Sequence, residues 1–372
     1  MKILVVAGET SGDLHGASLL RELGRLNPRV EFFGIGGDEM EEAGVNLLEH
    51  VNSVAVVGFT EALRKYPRLR QTFKRVTNAV REKRPPRAIL IDYPGFNLRL
   101  ASRLKRWGVP VTYYICPQLW AWREKRVEAM KNCVDQALCI LPFEEEWYHR
   151  RGIEANYVGH PLMDHREAEM GREEFIGAYG LDSRRTLVAL FPGSRQQEVD
   201  RLLPVMTGAM GLLKKRGLDV QAVIGKAPGV ELSSHELSGA VVVEETPHLA
   251  LRHAHIGVIA SGTATLEAAL YGTPSVVVYK LSGPTWLVAR AVTKVPFVSL
   301  TNLVAGREIL PELLQDQASP RLIADRMATM VESPPEREKI LAGLREVKER
   351  LGGPGAAKTA ARLISERLMG LE

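Results

Sequence analysis

The sequence predicts an α/β protein made of two doubly wound, parallel-sheet domains. Three observations carry this. Short apolar runs alternate with longer amphipathic ones, the βαβα pattern of a parallel sheet covered by helices on both faces. At 372 residues the chain is too long for one ordinary core and suits two. The strand pattern also restarts after a polar stretch of mixed charge at residues 160–185, which reads as a linker. The expected domains are therefore 1–165 and 166–335. Residues 336–372 are expected to be helices packing back on the first domain or on a partner subunit.

Each element has its own signal. Lys2 to Ala7 is an unbroken apolar run and reads as a buried strand. Gly8 to Asp13 make a turn. His15 to Leu26 read as a helix, with Ala17, Leu19, Leu20, Leu23 and Leu26 as its apolar stripe. Further strands are expected at 87–91, 110–115, 136–141 and 155–158. The second half repeats the pattern near 186–191, 219–224, 240–244, 255–260 and 274–279. Pro335 to Leu368 read as helices broken at Gly352-Gly353-Pro354-Gly355. Two such halves leave a cleft between them. Ligands of open α/β sheets bind outside the carboxyl ends of strands, and both sets of ends are expected to face that cleft.

Composition narrows the function classes. The formal charge is +5, from 49 basic and 44 acidic side chains. That excess fits anionic ligands or an anionic surface and does not demand nucleic acid. No aromatic RNA-binding motif or zinc-finger spacing is present. Three cysteines, Cys116, Cys133 and Cys139, lack CxxC spacing, which argues against a disulfide framework or structural zinc. His253 and His255 have no third ligand nearby, so no metal site is expected. The N-terminus starts directly with a strand, and no apolar run reaches the ~20 residues that span a bilayer. The expected compartment is the cytoplasm.

Two strands of the second half run straight into loops sized for phosphate. Phe191 is followed by Pro192-Gly193-Ser194-Arg195, and Ala260 by Ser261-Gly262-Thr263-Ala264-Thr265-Leu266-Glu267. Small residues let backbone N–H groups approach an anion, and the next helix points its positive end there. Neither loop has the Lys-Ser/Thr pair of a Walker A motif. The expected ligand is a nucleotide whose diphosphate is held by backbone, hydroxyls and the Arg195 guanidinium, which can pair bidentately with phosphate. Glu267 is placed to accept bonds from ribose hydroxyls.

The first half carries a different chemistry. Glu9, Ser11, Asp13 and His15 lie in and after the first turn, where carboxylates suit a hydroxylated ligand better than a pyrophosphate. The plainer alternative is that Ser11 or Asp13 caps the next helix. Asp92 ends a strand and is placed for general-base work on an acceptor hydroxyl. The alternative is a turn aspartate bonding its own backbone before Pro94. From Phe59 to Arg75 an apolar series (Phe59, Leu63, Tyr66, Leu69, Phe73 and Val76) is flanked by Arg64, Lys65, Arg68, Arg70, Lys74 and Arg75. A basic amphipathic stretch reads as a membrane-surface element, or as a surface helix with its apolar face on the core. Pro67 is expected to start a second helix there.

Several longer motifs, in order, resemble one family. They are Val5-Val6-Ala7-Gly8-Glu9-Thr10-Ser11-Gly12-Asp13, Ile91-Asp92-Tyr93-Pro94-Gly95-Phe96-Asn97, Pro117-Gln118-Leu119-Trp120-Ala121-Trp122-Arg123, Val158-Gly159-His160-Pro161, Leu190-Phe191-Pro192-Gly193-Ser194-Arg195 and Asn302-Leu303-Val304-Ala305-Gly306-Arg307-Glu308. Over residues 1 to about 330 the chain resembles the lipid-A-disaccharide synthases. The resemblance implies a GT-B fold of two Rossmann-like domains and an inverting glycosyltransferase that needs no metal or other cofactor. It implies UDP-2,3-diacylglucosamine as donor and 2,3-diacylglucosamine 1-phosphate (lipid X) as acceptor. The products are the β-1,6 disaccharide 1-phosphate and UDP, made at the inner face of the bacterial inner membrane. By position, Asp92 and Arg195 fall on the family's essential aspartate and arginine, and Asn302 on an asparagine near the nucleotide. Two positions depart: Gly95 stands where some members carry a second acid, and Thr301 where proline is frequent. A homodimer is left open. A UDP-sugar 2-epimerase of the same architecture and a two-lobed sugar-binding protein remain as alternatives.

Overall fold

A computed structural model describes residues 1–54, 59–121, 124–164, 170–293 and 295–369. Within these it describes every side chain except those of residues 54, 59–66, 284, 288, 289, 291 and 292. The chain divides into two compact units, Met1–His165 with Gly352–Glu372, and Arg166–Leu351.

The first unit holds β1 (Lys2–Ala7), β2 (Glu31–Gly36), β3 (Val45–His50), β4 (Ala88–Ile91), β5 (Val111–Tyr114), β6 (Gln136–Cys139) and β7 (Ala155–Tyr157). Their order is β3-β2-β1-β4-β5-β6-β7, parallel throughout. The strand order reverses between β1 and β4, which pair with Ala7 beside Ile91. Helices on both faces explain why these strands are unbroken apolar runs. Leu4, Val6 and Leu90 enter one core, and Ile3, Val5 and Ile89 the other.

The second unit holds β8 (Thr186–Phe191), β9 (Val220–Gly225), β10 (Val241–Val243), β11 (Ile256–Ala260), β12 (Ser275–Tyr279) and β13 (Glu312–Leu314). Their order is β10-β9-β8-β11-β12-β13, again all parallel. Here the order reverses between β8 and β11, where Phe191 lies beside Ile259.

Three strands, β2, β3 and β13, escaped the sequence reading. In β2 the cause is Gly34 and Gly36, which look like breakers. Gly34 instead allows close approach: a Cβ there would lie 1.7 Å from the Val5 carbonyl oxygen. The β2–β3 register shifts at the same point.

The chain's last segment corrects the expected boundary. Residues 336–372 are not one block. The helix Pro334–Leu351 belongs to the second unit, burying Ile340, Leu344 and Val347, with Gly343 against Ile309. The helix Ala356–Met369 belongs to the first, where Ala360, Ala361, Ile364 and Leu368 join the core of Ile3 and Leu19. Asp164 fixes its start. The carboxylate accepts the N–H groups of Gly355, Ala356 (3.0 Å) and Ala357 (2.8 Å), satisfying three of the four donors a helix start leaves open. The break at Gly352–Gly355 is thus where the chain changes unit.

Pro67 does not start a new helix. Phe59–Lys83 runs through it as one element. From Leu69 onward the apolar side faces the first unit's core: Leu69 and Phe73 pack on it, Val76 and Val80 are buried, and the Phe73 and Phe96 rings meet edge to face at 5.5 Å. The side chains of Phe59, Leu63 and Tyr66 lie outside the described residues. Cys116, Cys133 and Cys139 are free and buried. Among the described residues, no helix is long and apolar enough to cross a membrane.

Candidate active site

Most of the residues singled out from the sequence lie at the two strand-order reversals. In the first unit, the loop after β1 carries Glu9 and the loop after β4 carries Asp92. In the second, the loop after β8 carries Arg195 and the loop after β11 carries Ser261 to Thr263, with Ala264 and Thr265 opening the next helix. A crevice opens at such a reversal because successive connections leave to opposite faces of the sheet.

Asp92 sits on a strained elbow. Its φ is +45° and that of Tyr93 is +49°, consecutive left-handed residues with side chains. Each such residue costs about 1–3 kcal/mol and persists only where its surroundings impose it. Here they do. The Tyr113 hydroxyl donates to the Asp92 carbonyl at 2.5 Å. The buried Asn97 amide donates to the same carbonyl at 2.8 Å and to that of Ile91 at 3.1 Å. The Tyr93 carbonyl accepts from the backbone N–H groups of Phe96 and Asn97, starting the helix Pro94–Arg106. Gly8 on the facing loop leaves room for the Tyr93 ring, since a Cβ at Gly8 would lie 2.1 Å from ring carbon Cδ1. Only glycine lets the two loops approach this closely.

This placement alters the Asp92 carboxyl. Burial raises its pKa to about 6, the negative charge of Glu9 adds to the rise, and the Tyr93 backbone N–H opposes it. Glu9 and Ser11 are exposed and His15 is half-buried. Asp13 requires correction as a ligand-facing residue. It is buried, and its carboxylate accepts from the backbone N–H groups of Gly37 (2.6 Å), Met40 (3.1 Å) and Glu39 (3.2 Å). It lies within the helix Thr10–Leu26, which starts earlier than the expected turn at 8–13 allowed, and it caps the helix Asp38–Glu42, so its acceptor capacity is directed inward.

Next to this loop, the segment after β5 is clamped from below. Tyr148 donates its hydroxyl to the Pro117 carbonyl at 2.5 Å, and the Trp120 indole N–H donates to Glu144 at 2.9 Å. Burial raises the Glu144 carboxyl to about 7, against the pull of the Trp120 bond and two backbone N–H bonds. Trp122 and Arg123 of this motif lie outside the described residues.

In the second unit, Gly193 has φ +121°, a conformation that favours glycine. Arg195 is the residue preceding the helix Gln196–Lys215, and its side chain is 66% exposed. Ser194 is exposed too. Ala264 and Thr265 open the helix Ala264–Tyr271, whose N-terminus carries no side-chain cap. Glu267, one turn in, is half-buried. The expected role of the hydroxyls changes, however. Ser261 donates to the Val298 carbonyl at 2.7 Å and the buried Thr265 to that of Gly262 at 2.8 Å. With their protons given to the backbone, neither hydroxyl can donate to an anion. Exposed Thr263 and the backbone at Gly262 and Ala264 remain for that role.

Asn302 is likewise corrected. It is fully buried, and its amide makes all four of its bonds within the protein. The Nδ2 group donates to Leu310 O and to Glu312, both at 2.8 Å. Oδ1 accepts from Ile309 N (2.7 Å) and Leu310 N (2.9 Å). Asn302 therefore ties the helix Leu300–Ala305 to the segment that leads into β13. Thr301, the departure from proline, donates its hydroxyl to the Thr265 carbonyl at 2.5 Å, tying the helix Leu300–Ala305 to the start of Ala264–Tyr271.

Sequence reasoning missed Asn97, Tyr113 and Glu198. Asn97 offered a signal as an amide in the first turn after a strand-end aspartate. Tyr113 offered none, being one more residue in an apolar strand. Glu198 was readable as the acid three residues after Arg195.

The fold matches solved structures of low identity. A UDP-GlcNAc 2-epimerase from Neisseria meningitidis, solved with UDP-GlcNAc, superposes with a TM-score of 0.62 at 14% identity, covering 100% of both chains. CalG4, the calicheamicin glycosyltransferase, gives 0.60 at 16% identity over 98% of this chain and 97% of that one. Both show the two-domain GT-B fold. Sequence goes further. The lipid-A-disaccharide synthase of Myxococcus xanthus is 43% identical over 373 residues, 99% of this chain and 97% of its own. That of Syntrophus aciditrophicus is 40% identical over 366 residues, 96% of each. The family model described as lipid-A-disaccharide synthetase matches residues 3–362. The chain thus belongs to the lipid-A-disaccharide synthase family and is a glycosyltransferase of lipid A biosynthesis.

Proposed function

We propose that the chain joins UDP-2,3-diacylglucosamine to 2,3-diacylglucosamine 1-phosphate, giving the β-1,6 disaccharide 1-phosphate and UDP. The observation that carries the chemistry is Asp92: a carboxylate raised to about 6, on a braced elbow at a strand-order reversal. In this reading Asp92 takes the proton of the acceptor's 6-hydroxyl as that oxygen attacks the donor's anomeric carbon from the side opposite UDP. The new C–O bond forms as the bond to the diphosphate breaks, and the configuration inverts. Negative charge then moves onto UDP. Arg195, the Ser194 N–H and the uncapped helix start at Ala264 are the groups that stabilise it. Glu9, Ser11 and His15 line the acceptor side.

The test is direct incubation with both substrates, following free UDP and disaccharide. An epimerase would isomerise the donor without the acceptor, and a binding protein would do neither. The base must be ionised to work, so kcat/KM is expected to fall tenfold per pH unit below about 6 and to level off above it. A profile flat from pH 5 to 8 would remove Asp92 as the base.

The acyl chains place the reaction at a lipid surface. Arg68, Arg70, Lys74 and Arg75 are exposed on the helix Phe59–Lys83 and are proposed to meet anionic headgroups; Arg68 and Arg75 already face Glu49 at 3.6 and 2.8 Å, so the gain of about 1 kcal/mol per basic side chain before screening applies in full only to Arg70 and Lys74. Co-sedimentation with vesicles is expected to rise with anionic lipid content and fall with salt. Binding indifferent to both would exclude this role.

A further inference from the structure

Glu198 stands in the first turn of the helix Gln196–Lys215 and reaches back over the loop before it. One carboxylate oxygen accepts the Ser194 backbone N–H at 3.2 Å, and the other meets the Arg195 guanidinium at 3.2 Å. A Cβ on Gly193 would lie 2.5 Å from the same carboxylate, so Glu198 fills the hollow this glycine leaves. Its side chain is 19% exposed, against 66% for Arg195. The carboxylate therefore already holds, as an anion, the two donors that a phosphate at this loop would use.

We propose that Glu198 is an affinity-setting residue that competes with the nucleotide's diphosphate for the Ser194 N–H and Arg195. Two anions cannot share these donors at contact distance without repulsion. Glu198 must swing aside when the donor enters, and its return helps to expel UDP after transfer. Between turnovers it holds the loop in a shape ready for an anion. The inference rests on the reading that this loop takes the donor's diphosphate. A carboxylate that merely caps the helix makes a different prediction. Glutamine keeps an oxygen able to accept the Ser194 N–H, so a cap would leave nucleotide affinity unchanged in Glu198→Gln.

The experiment is calorimetric titration with UDP and with uridine on the wild-type protein, Glu198→Gln, Glu198→Ala and Arg195→Ala. Thermal unfolding checks that each variant is folded. Glu198→Gln is expected to bind UDP about fivefold tighter, the scale of one partly exposed ion pair. Uridine, lacking phosphate, should bind all four proteins alike. UDP should also become a correspondingly stronger product inhibitor. Glu198→Ala, which removes the acceptor altogether, should tighten UDP in the same direction. UDP affinity unchanged or weaker in both Glu198 variants, with Arg195→Ala still impaired, would overturn the competition while leaving the loop's phosphate role standing. UDP binding indifferent to Arg195→Ala would overturn both.

Discussion

Replacing Asp92 by asparagine is expected to lower kcat by about 10²–10⁴ while leaving UDP affinity unchanged. Asparagine is the informative substitution because it tolerates φ above zero at least as well as aspartate. The elbow can then persist, with Tyr113 and Asn97 still bonded to the residue's carbonyl. Alanine would combine loss of the base with backbone strain and could not separate the two. Steady-state kinetics with both substrates, together with UDP titration, check the expectation. Turnover within a few-fold of wild type would mean that another group accepts the proton. Parallel losses in turnover and UDP affinity would point to a collapsed loop instead.

Arg195→Ala is expected to weaken UDP binding by about tenfold to a hundredfold and to reduce kcat further. A charge-assisted bond to phosphate is worth about 1.5–3 kcal/mol, and each 1.4 kcal/mol is a factor of ten. The extra loss in kcat follows because charge on the diphosphate grows as the glycosidic bond breaks. Arg195→Lys keeps the charge and loses the planar fork, and should fall between wild type and alanine. The guanidinium is largely exposed, so fold stability should hardly change, and thermal unfolding checks this. Unchanged UDP affinity in the alanine variant would end the phosphate role.

Both experiments concern residues that the sequence placed by local context. Asp92 follows an apolar strand, and Arg195 follows a Pro-Gly-Ser turn that opens a helix. Strand, turn and helix start are all short-range signals, so such positions are legible without a structure. Asp13 and Asn302 show where that legibility stops. Each is a polar residue inside a recognisable motif, and each spends its bonding capacity on partners seven or more residues away. Asp13 is joined to Gly37, Glu39 and Met40, and Asn302 to Ile309, Leu310 and Glu312. A motif records that such a residue matters but not which way its side chain turns.

The missed strands have the same origin. Gly34 looks like a breaker in isolation, and becomes necessary only when Val5 lies against it. Leu69 and Phe73 read equally well as lipid-facing or core-facing, and the neighbouring Phe96 settles which. The two C-terminal helices both read simply as helices in the sequence, yet one packs on each unit, with Ile309 lying over Gly343 in one and Asp164 capping the other.

The sequence by itself determined the two α/β halves, several of their strand-end loops, and the aspartate and arginine those loops carry, because periodicity and turn chemistry act over a few neighbouring residues. Tertiary structure alone decided which polar groups remain open to a ligand. That depends on whether a distant backbone N–H or carbonyl has already claimed them, and chain proximity in space is absent from any local pattern.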